Sequence, residues 1–244
     1  MITNPAPYHV SIVIPIYNGS SLLEKHVTPF LEWLKTRPYR TEVILVDDGS
    51  SDQAITSAYA REQGLLFVGL TTNKGKGAAL REGFANARAN IQLFTDADIP
   101  FNYQNIDIFV SLLQQDPYKL FIGNRVDPLS VYFEKTSLLR NWGSNIVTLL
   151  VRLFFMKTVR DTQCGLKGMG KDVARRLFGD SRIDRFAIDI ELIYLAYKNQ
   201  ISVCKVPVQL RYNDASSVHA VRDGFKLMLD IYRIRKIHGR KRYQ

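Results

Sequence analysis

Two apolar runs open the chain. VSIVIPI at residues 10–16 stops at Tyr17-Asn18-Gly19, and EVILV at 42–46 stops at Asp47-Asp48-Gly49-Ser50. Runs that are continuous rather than alternating predict strands buried on both faces. Between them, Leu22, Leu23, Val27, Phe30, Leu31 and Leu34 fall at helical spacing behind Ser20, which predicts a helix over 20–35. The alternation goes on with a helix over 52–63, a strand at 65–70, a helix over 77–89 and a strand at 91–95. Four parallel strands joined by crossover helices make a doubly wound α/β sheet, whose ligands lie beyond the carboxyl ends of the strands. The acidic turns Asp47-Asp48 and Asp96-Ala97-Asp98 both sit at those ends.

The pattern loosens after Asp98. It predicts helices over 103–115, 137–156, 171–178, 188–198 and 221–237, and strands at 119–123, 166–169 and 201–210. No repeat or low-complexity linker interrupts it, so residues 1–232 read as one domain: a nucleotide-binding half over about 1–100 and an acceptor-binding half over 101–232. Residues 233–244 form a basic tail, with six Lys or Arg among the ten residues 233–242.

Composition narrows the functional classes. A chain of 244 residues, 46% hydrophobic and 23% charged, has enough apolar content for one substantial core, and its net charge of +10 calls for an anionic partner. Two cysteines, Cys164 and Cys204, read as small buried hydrophobes in a reducing cytoplasm. The first nine residues lack a signal-peptide pattern, and the most apolar stretch, 146–156, carries Arg152 and is too short to span a bilayer. Membrane contact is therefore expected to be peripheral, with the basic tail suited to anionic head groups. Nucleic acid ranks low, because no reading helix or stacking motif accompanies the charge.

Three motifs can carry chemistry. Thr95-Asp96-Ala97-Asp98 sets two carboxylates at a strand end, a donor pair for a hard divalent cation on a diphosphate. Asn73-Lys74-Gly75-Lys76-Gly77 opens a helix without being a Walker A or GxGxxG loop; it reads equally as a phosphate contact through Lys76 or as a plain helix start. In Asp161-Thr162-Gln163-Cys164-Gly165, the Gln163 amide oxygen can complete a cation shell begun by Asp96 and Asp98. Arg125, Arg140 and Arg152 are weighed as phosphate forks against ordinary surface arginines. Asp189 and Glu191 would point about 200° apart on a helix, so they are not a working pair, though one can face the cleft. His9, His26, His219 and His238 lack metal-ligand spacing.

With these motifs in order, the chain resembles family 2 glycosyltransferases of the GT-A fold, nearest the dolichyl-phosphate glucosyltransferases and dolichyl-phosphate mannose synthases. VSIVIPIYN, VDDGSSD, NKGKGAALREG, TDAD, GNR, RDTQCGLKGM, FAIDIELIYLA and SSVHAVRDGFKLM carry the resemblance. It implies a mostly parallel, Rossmann-like sheet flanked by helices. It implies that Pro15, Tyr17, Asp47 and Asp48 hold the base and ribose of a nucleotide sugar, that Asp96, Asp98 and Gln163 hold Mg²⁺ or Mn²⁺, and that Arg125 and Arg140 receive an acceptor lipid phosphate. Asp98 would lie nearest the metal, and Arg222 would touch the donor phosphates. Gly19 stands where many relatives are acidic, Ser217-Val218 where a Lys often follows a serine pair, and no appended transmembrane helix is present.

The resemblance implies an inverting hexosyltransferase at the cytoplasmic membrane face, with UDP-glucose favoured and a polyprenyl or dolichyl phosphate as acceptor. GDP-mannose or another donor stays open. So does a soluble saccharide or protein acceptor, which would need Asp189 or Glu191 as base. A non-catalytic nucleotide-sugar or RNA-binding module is the reading from another class.

Overall fold

The computed structural model describes residues 8–125, 127, 129–132, 164–211 and 220–239. The helix expected over 137–156 lies outside these residues, as do Arg140, Arg152, Asp161 and Gln163. The first half is β1 (Val10–Ile16), α1 (Thr28–Lys35), β2 (Thr41–Asp47), α2 (Gln53–Glu62), β3 (Leu66–Gly69), α3 (Lys76–Asn86) and β4 (Ile91–Phe94). The second half is α4 (Gln104–Gln115), β5 (Leu120–Asn124), β6 (Val131–Tyr132), β7 (Lys167–Gly170), α5 (Lys171–Asp180), α6 (Ile188–Lys198), β8 (Val203–Pro207), β9 (Gln209–Leu210) and α7 (Ala220–His238).

Seven strands form one sheet in the order β3-β2-β1-β4-β7-β5-β8. Neighbours pair in parallel except at β7, which runs against both β4 and β5. The α/β class expected from the pattern is thus the one observed, with a reversed strand that periodicity cannot signal. Both faces are covered. Ile12, Ile14 and Leu45 pack with Phe30 of α1, Tyr59 of α2 and Phe109 of α4. Val13, Ile44, Val46 and Phe94 pack on the other face with Leu80 of α3, Leu177 of α5 and Leu192 of α6. This double burial is why the strands read as unbroken apolar runs.

Two expected elements are divided. The helix over 20–35 starts as a π-turn at Leu23–Val27, with the Thr28 N–H reaching back to the Leu23 carbonyl, before α1 begins. Pro29 has no N–H, and its ring crowds the carbonyl four residues back, so the ladder widens upstream of it. The strand over 201–210 becomes β8 and β9, because the Val208 N–H turns to Ser130 Oγ at 3.1 Å and β9 pairs with β6 in a second, two-stranded sheet.

The chain order places the switch point between β1 and β4, where connections leave in opposite directions and a crevice opens beyond the strand ends. Gly83 fixes α3 against this part of the sheet: a Cβ there would stand 2.3 Å from Val13 Cγ1 and 3.0 Å from Val46 Cγ2. Gly83→Val is expected to cost about 2 kcal/mol through overpacking. The check is the urea midpoint of unfolding, which should fall, and an unchanged midpoint would refute the close approach.

Candidate functional site

The crevice floor is built by turns that use their own polar groups. Asn18, at φ 46°, accepts the Ser51 N–H at 2.9 Å through its side chain, while its own N–H donates to Ser50 Oγ at 2.9 Å. The loops after β1 and β2 are thereby joined. Buried Asp47 accepts the Ser50 N–H at 2.8 Å and Gln53 Nε2 at 3.0 Å on Oδ1. Its Oδ2 is buried with no hydrogen-bond partner among the described residues. Asp48 accepts the N–H groups of Lys74 and Gly75 at 2.8 and 2.7 Å. Pro15 lies in β1 beside Val46 of β2, and Tyr17 stands at the rim, half exposed.

The glycines of the 73–77 block serve packing. Gly75 has φ 107°, and a Cβ on Gly77 would stand 2.1 Å from the Ile183 carbonyl oxygen. The Asp184 carbonyl accepts the N–H groups of Gly77 and Ala78 at 2.7 and 3.2 Å. The first turn of α3 therefore caps on residues 183–184, and of the two readings of this block the helix start is the one its backbone makes. Lys76 has a different task.

Lys76 Nζ lies 2.8 Å from Asp96 Oδ1 and 3.1 Å from Asp189 Oδ2, and the other Asp189 oxygen is paired with Lys167 Nζ. Lys167 also donates to the Cys164 carbonyl at 2.8 Å, and both ammoniums sit over the Phe94 ring, at 5.6 and 5.3 Å from its centroid. Burial by itself would push the Lys76 ammonium down, but Asp189 and Asp96 beside it raise it above the usual lysine value. Burial would likewise raise Asp189, and the Lys167 and Lys76 charges hold it below the usual carboxylate range. Lys167 escaped the sequence reading; its signal was a lone cation in an otherwise apolar strand, which has to find a buried partner.

Asp96 and Asp98 follow β4 in a turn closed by the Ile99 N–H on the Asp96 carbonyl at 3.1 Å. Ile99 is a buried β-branched residue at φ 42°, a conformation costing about 1–3 kcal/mol that its packing in the core has to offset. Asp96 Oδ2 lies against Gly165, where a Cβ would come within 2.0 Å. The structure thus brings the Gly165 backbone to Asp96, while Gln163, the shell ligand expected from the third motif, lies outside the described residues. No group of three or more His, Cys, Asp or Glu residues suited to a metal occurs among the described residues. The donors at hand are carboxylate oxygens, one already facing an ammonium, and they fit a hard cation that takes its remaining ligands from a diphosphate and water.

Arg125 follows β5 at the same sheet edge, about 10 Å from β4 at two strand spacings. The side chain of Arg222, in α7, falls outside the described set. Asp189 and Glu191 do diverge. Glu191 is fully buried and accepts the Arg182 and Ile183 N–H groups at 2.9 Å each, with His238 Nε2 at 2.7 Å. Cys164 is buried as expected; Cys204 is only partly so, on β8. Among the described residues no helix is long and apolar enough to cross a membrane.

The chain is similar to known proteins. Dolichyl-phosphate beta-glucosyltransferase of Dictyostelium discoideum is 28% identical over 243 residues, spanning 93% of this chain and 74% of that protein. The protein of the same name from Drosophila melanogaster is 30% identical over 240 residues, spanning 92% and 74%. Glucosyl-3-phosphoglycerate synthase from Mycobacterium tuberculosis, solved with Mn²⁺, UDP and glucosyl-3-phosphoglycerate, superposes with a TM-score of 0.73 at 17% identity over 97% of this chain and 82% of that one. At that identity the likeness is one of fold, and it is the GT-A architecture. Residues 11–178, from β1 through both acidic turns and the Gly165 backbone into α5, match the glycosyl transferase family 2 description, and the chain belongs to that family of glycosyltransferases.

Proposed function

We propose that this glycosyltransferase moves glucose from UDP-glucose to a polyprenyl or dolichyl phosphate, with inversion, while held at the cytoplasmic face of a membrane. The observation that carries the reading is the state of the two carboxylates that a hydroxyl acceptor would need as a base. Asp189 is clamped between two ammoniums, and Glu191 is buried and fully hydrogen-bonded. Neither can take a proton from a sugar or protein hydroxyl. A phosphate acceptor, with a second pKa of about 6, arrives already ionised and needs no base. The names of the similar fly and slime-mould proteins point to the same acceptor.

On this reading Asp47 Oδ2 offers a buried acceptor to a donor group of the base or ribose, beside Pro15 and Tyr17 at the rim, with Asp48 shaping the loop around them. Asp96 and Asp98, with Gln163, would hold Mg²⁺ or Mn²⁺. When bound, the cation stabilises the departing diphosphate. Lys76 and Arg222 would contact the donor phosphates, and Arg125 and Arg140 would orient the acceptor phosphate. Membrane contact falls to the outward face of α7. Ile231, Ile234 and His238 of α7 are turned inward, leaving Leu229, Tyr232, Arg233 and Lys236 exposed as apolar tips among cations.

Release of UDP from UDP-glucose by purified protein should require both a polyprenyl phosphate and Mg²⁺ or Mn²⁺, and GDP-mannose should be the poorer donor; lipid-independent turnover on a soluble sugar would overturn the acceptor. Asp98→Ala should abolish that release, and Arg125→Ala should impair lipid use more than UDP binding. Gly165→Ala should stay folded with a lowered melting temperature, because the added Cβ would meet Asp96 Oδ2 at 2.0 Å and Cγ at 2.7 Å and strain its pair with Lys76, and should lose activity about 100-fold as the carboxylate moves. Flotation with anionic liposomes should carry the protein upward, and Tyr232→Glu with Lys236→Glu should leave it at the bottom.

A further inference from the structure

We infer that Lys76 is a resident counter-cation that makes divalent-metal binding at Asp96 conditional on the diphosphate of the nucleotide sugar. The inference rests on the donor reading above and adds an order to it: the metal is held firmly only together with the nucleotide.

The charge count comes first. Lys76 and Lys167 face Asp96 and Asp189, two cations against two anions in contact, so these four groups balance one another before anything binds, with the Asp98 carboxyl as a further negative charge to set against an incoming dication. A dication approaching Asp96, whose side chain is 40% exposed, meets Oδ1 already joined to an ammonium at 2.8 Å and Oδ2 lying beside Gly165. Placing two further positive charges a few ångströms from Lys76, in a partly buried site, is opposed by direct Coulomb repulsion. A diphosphate brings several negative charges to the same place and removes that opposition.

Lys76 is also prevented from swinging away. Asp189 holds it at 3.1 Å, and Asp189 is itself fixed by Lys167, which is 1% exposed and anchored on the Cys164 carbonyl. Asp189 and Lys167 are thus positioning residues: they keep an ammonium beside Asp96 whether or not the site is loaded. An ammonium has three donors and a compact charge, so it can exchange one carboxylate oxygen for a phosphate oxygen without leaving Asp189. Metal and nucleotide must then tighten each other by the same factor, because binding linkage is reciprocal.

The test measures binding rather than turnover. Free Mn²⁺ is counted by electron paramagnetic resonance, and UDP binding by calorimetry, each with and without the other ligand, in the full chain and in Lys76→Met. The natural chain should bind Mn²⁺ weakly alone and on the order of 10-fold or more tightly with UDP. Lys76→Met should bind Mn²⁺ alone more tightly than the natural chain and bind UDP more weakly, with the mutual enhancement reduced. Lys76→Gln, which keeps a donor for both carboxylates but no charge, should change in the same direction, and thermal melting of both variants reports whether they fold. Equal or weaker Mn²⁺ binding by folded Lys76→Gln would overturn the inference, as would independent binding of Mn²⁺ and UDP to the natural chain. A natural chain that binds neither would overturn the donor reading along with it.

Discussion

Two lysine ammoniums and a carboxylate lie out of water beneath the crevice, beside the ring of Phe94, and the arrangement around them follows from that fact. A buried charge without its partner costs several kcal/mol, and breaking such a pair typically costs about 3–5 kcal/mol. Lys167 therefore ties β7 to α6 through Asp189, and Asp189 ties α6 to the start of α3 through Lys76. Lys76 in turn meets Asp96 beyond β4. Four elements distant in sequence are held in register by one chain of opposite charges. The same chain that fixes their positions sets the potential a nucleotide diphosphate would encounter, so stability and chemistry are joined at these residues.

The reversal of β7 makes this possible. In a parallel sheet only the residues after each strand reach the carboxyl edge. A strand running the other way brings its beginning there instead, so Lys167 opens β7 opposite Phe94, and Cys164 and Gly165 arrive just before it. A block rich in small and polar residues is thereby laid against Asp96 without a long loop. The lack of a side chain at Gly165 leaves the carboxylate its room.

The outline of this arrangement is legible in the sequence because buried parallel strands leave an unmistakable trace. β1, β2 and β4 appear as apolar runs, and the acidic residues that end β2 and β4 stand at the carboxyl edge where the switch point opens. Direction leaves no trace, and the reversal of β7 could not be read. Local chemistry overrode periodicity at Pro29, which widened a helical turn, and at Val208, whose N–H left one sheet for another. In the site, Asp96 was legible as an acidic strand end, whereas the bond between Lys167 and Asp189 depends on α6 folding back over β7. Asp48 shows the opposite difficulty. Its motif suggests a ligand contact, and only the fold reveals that its oxygens are taken up by the N–H groups of Lys74 and Gly75.

Glu191 has a consequence for how the two ends of the reaction are connected. It holds His238, near the end of α7, and the same carboxylate holds the backbone of Arg182 and Ile183, whose neighbour Asp184 caps α3 one residue from Lys76. The helix that carries the basic, outward-facing surface is thus bolted to the wall of the donor crevice rather than hung from it by a flexible tether. Docked on a membrane through α7, an enzyme built this way would not sweep the lipid layer at arbitrary angles. Should α7 meet a membrane as proposed, the plane it lies in would set the bearing of the crevice, and a substrate from the bilayer and one from solution would approach along directions fixed by the fold.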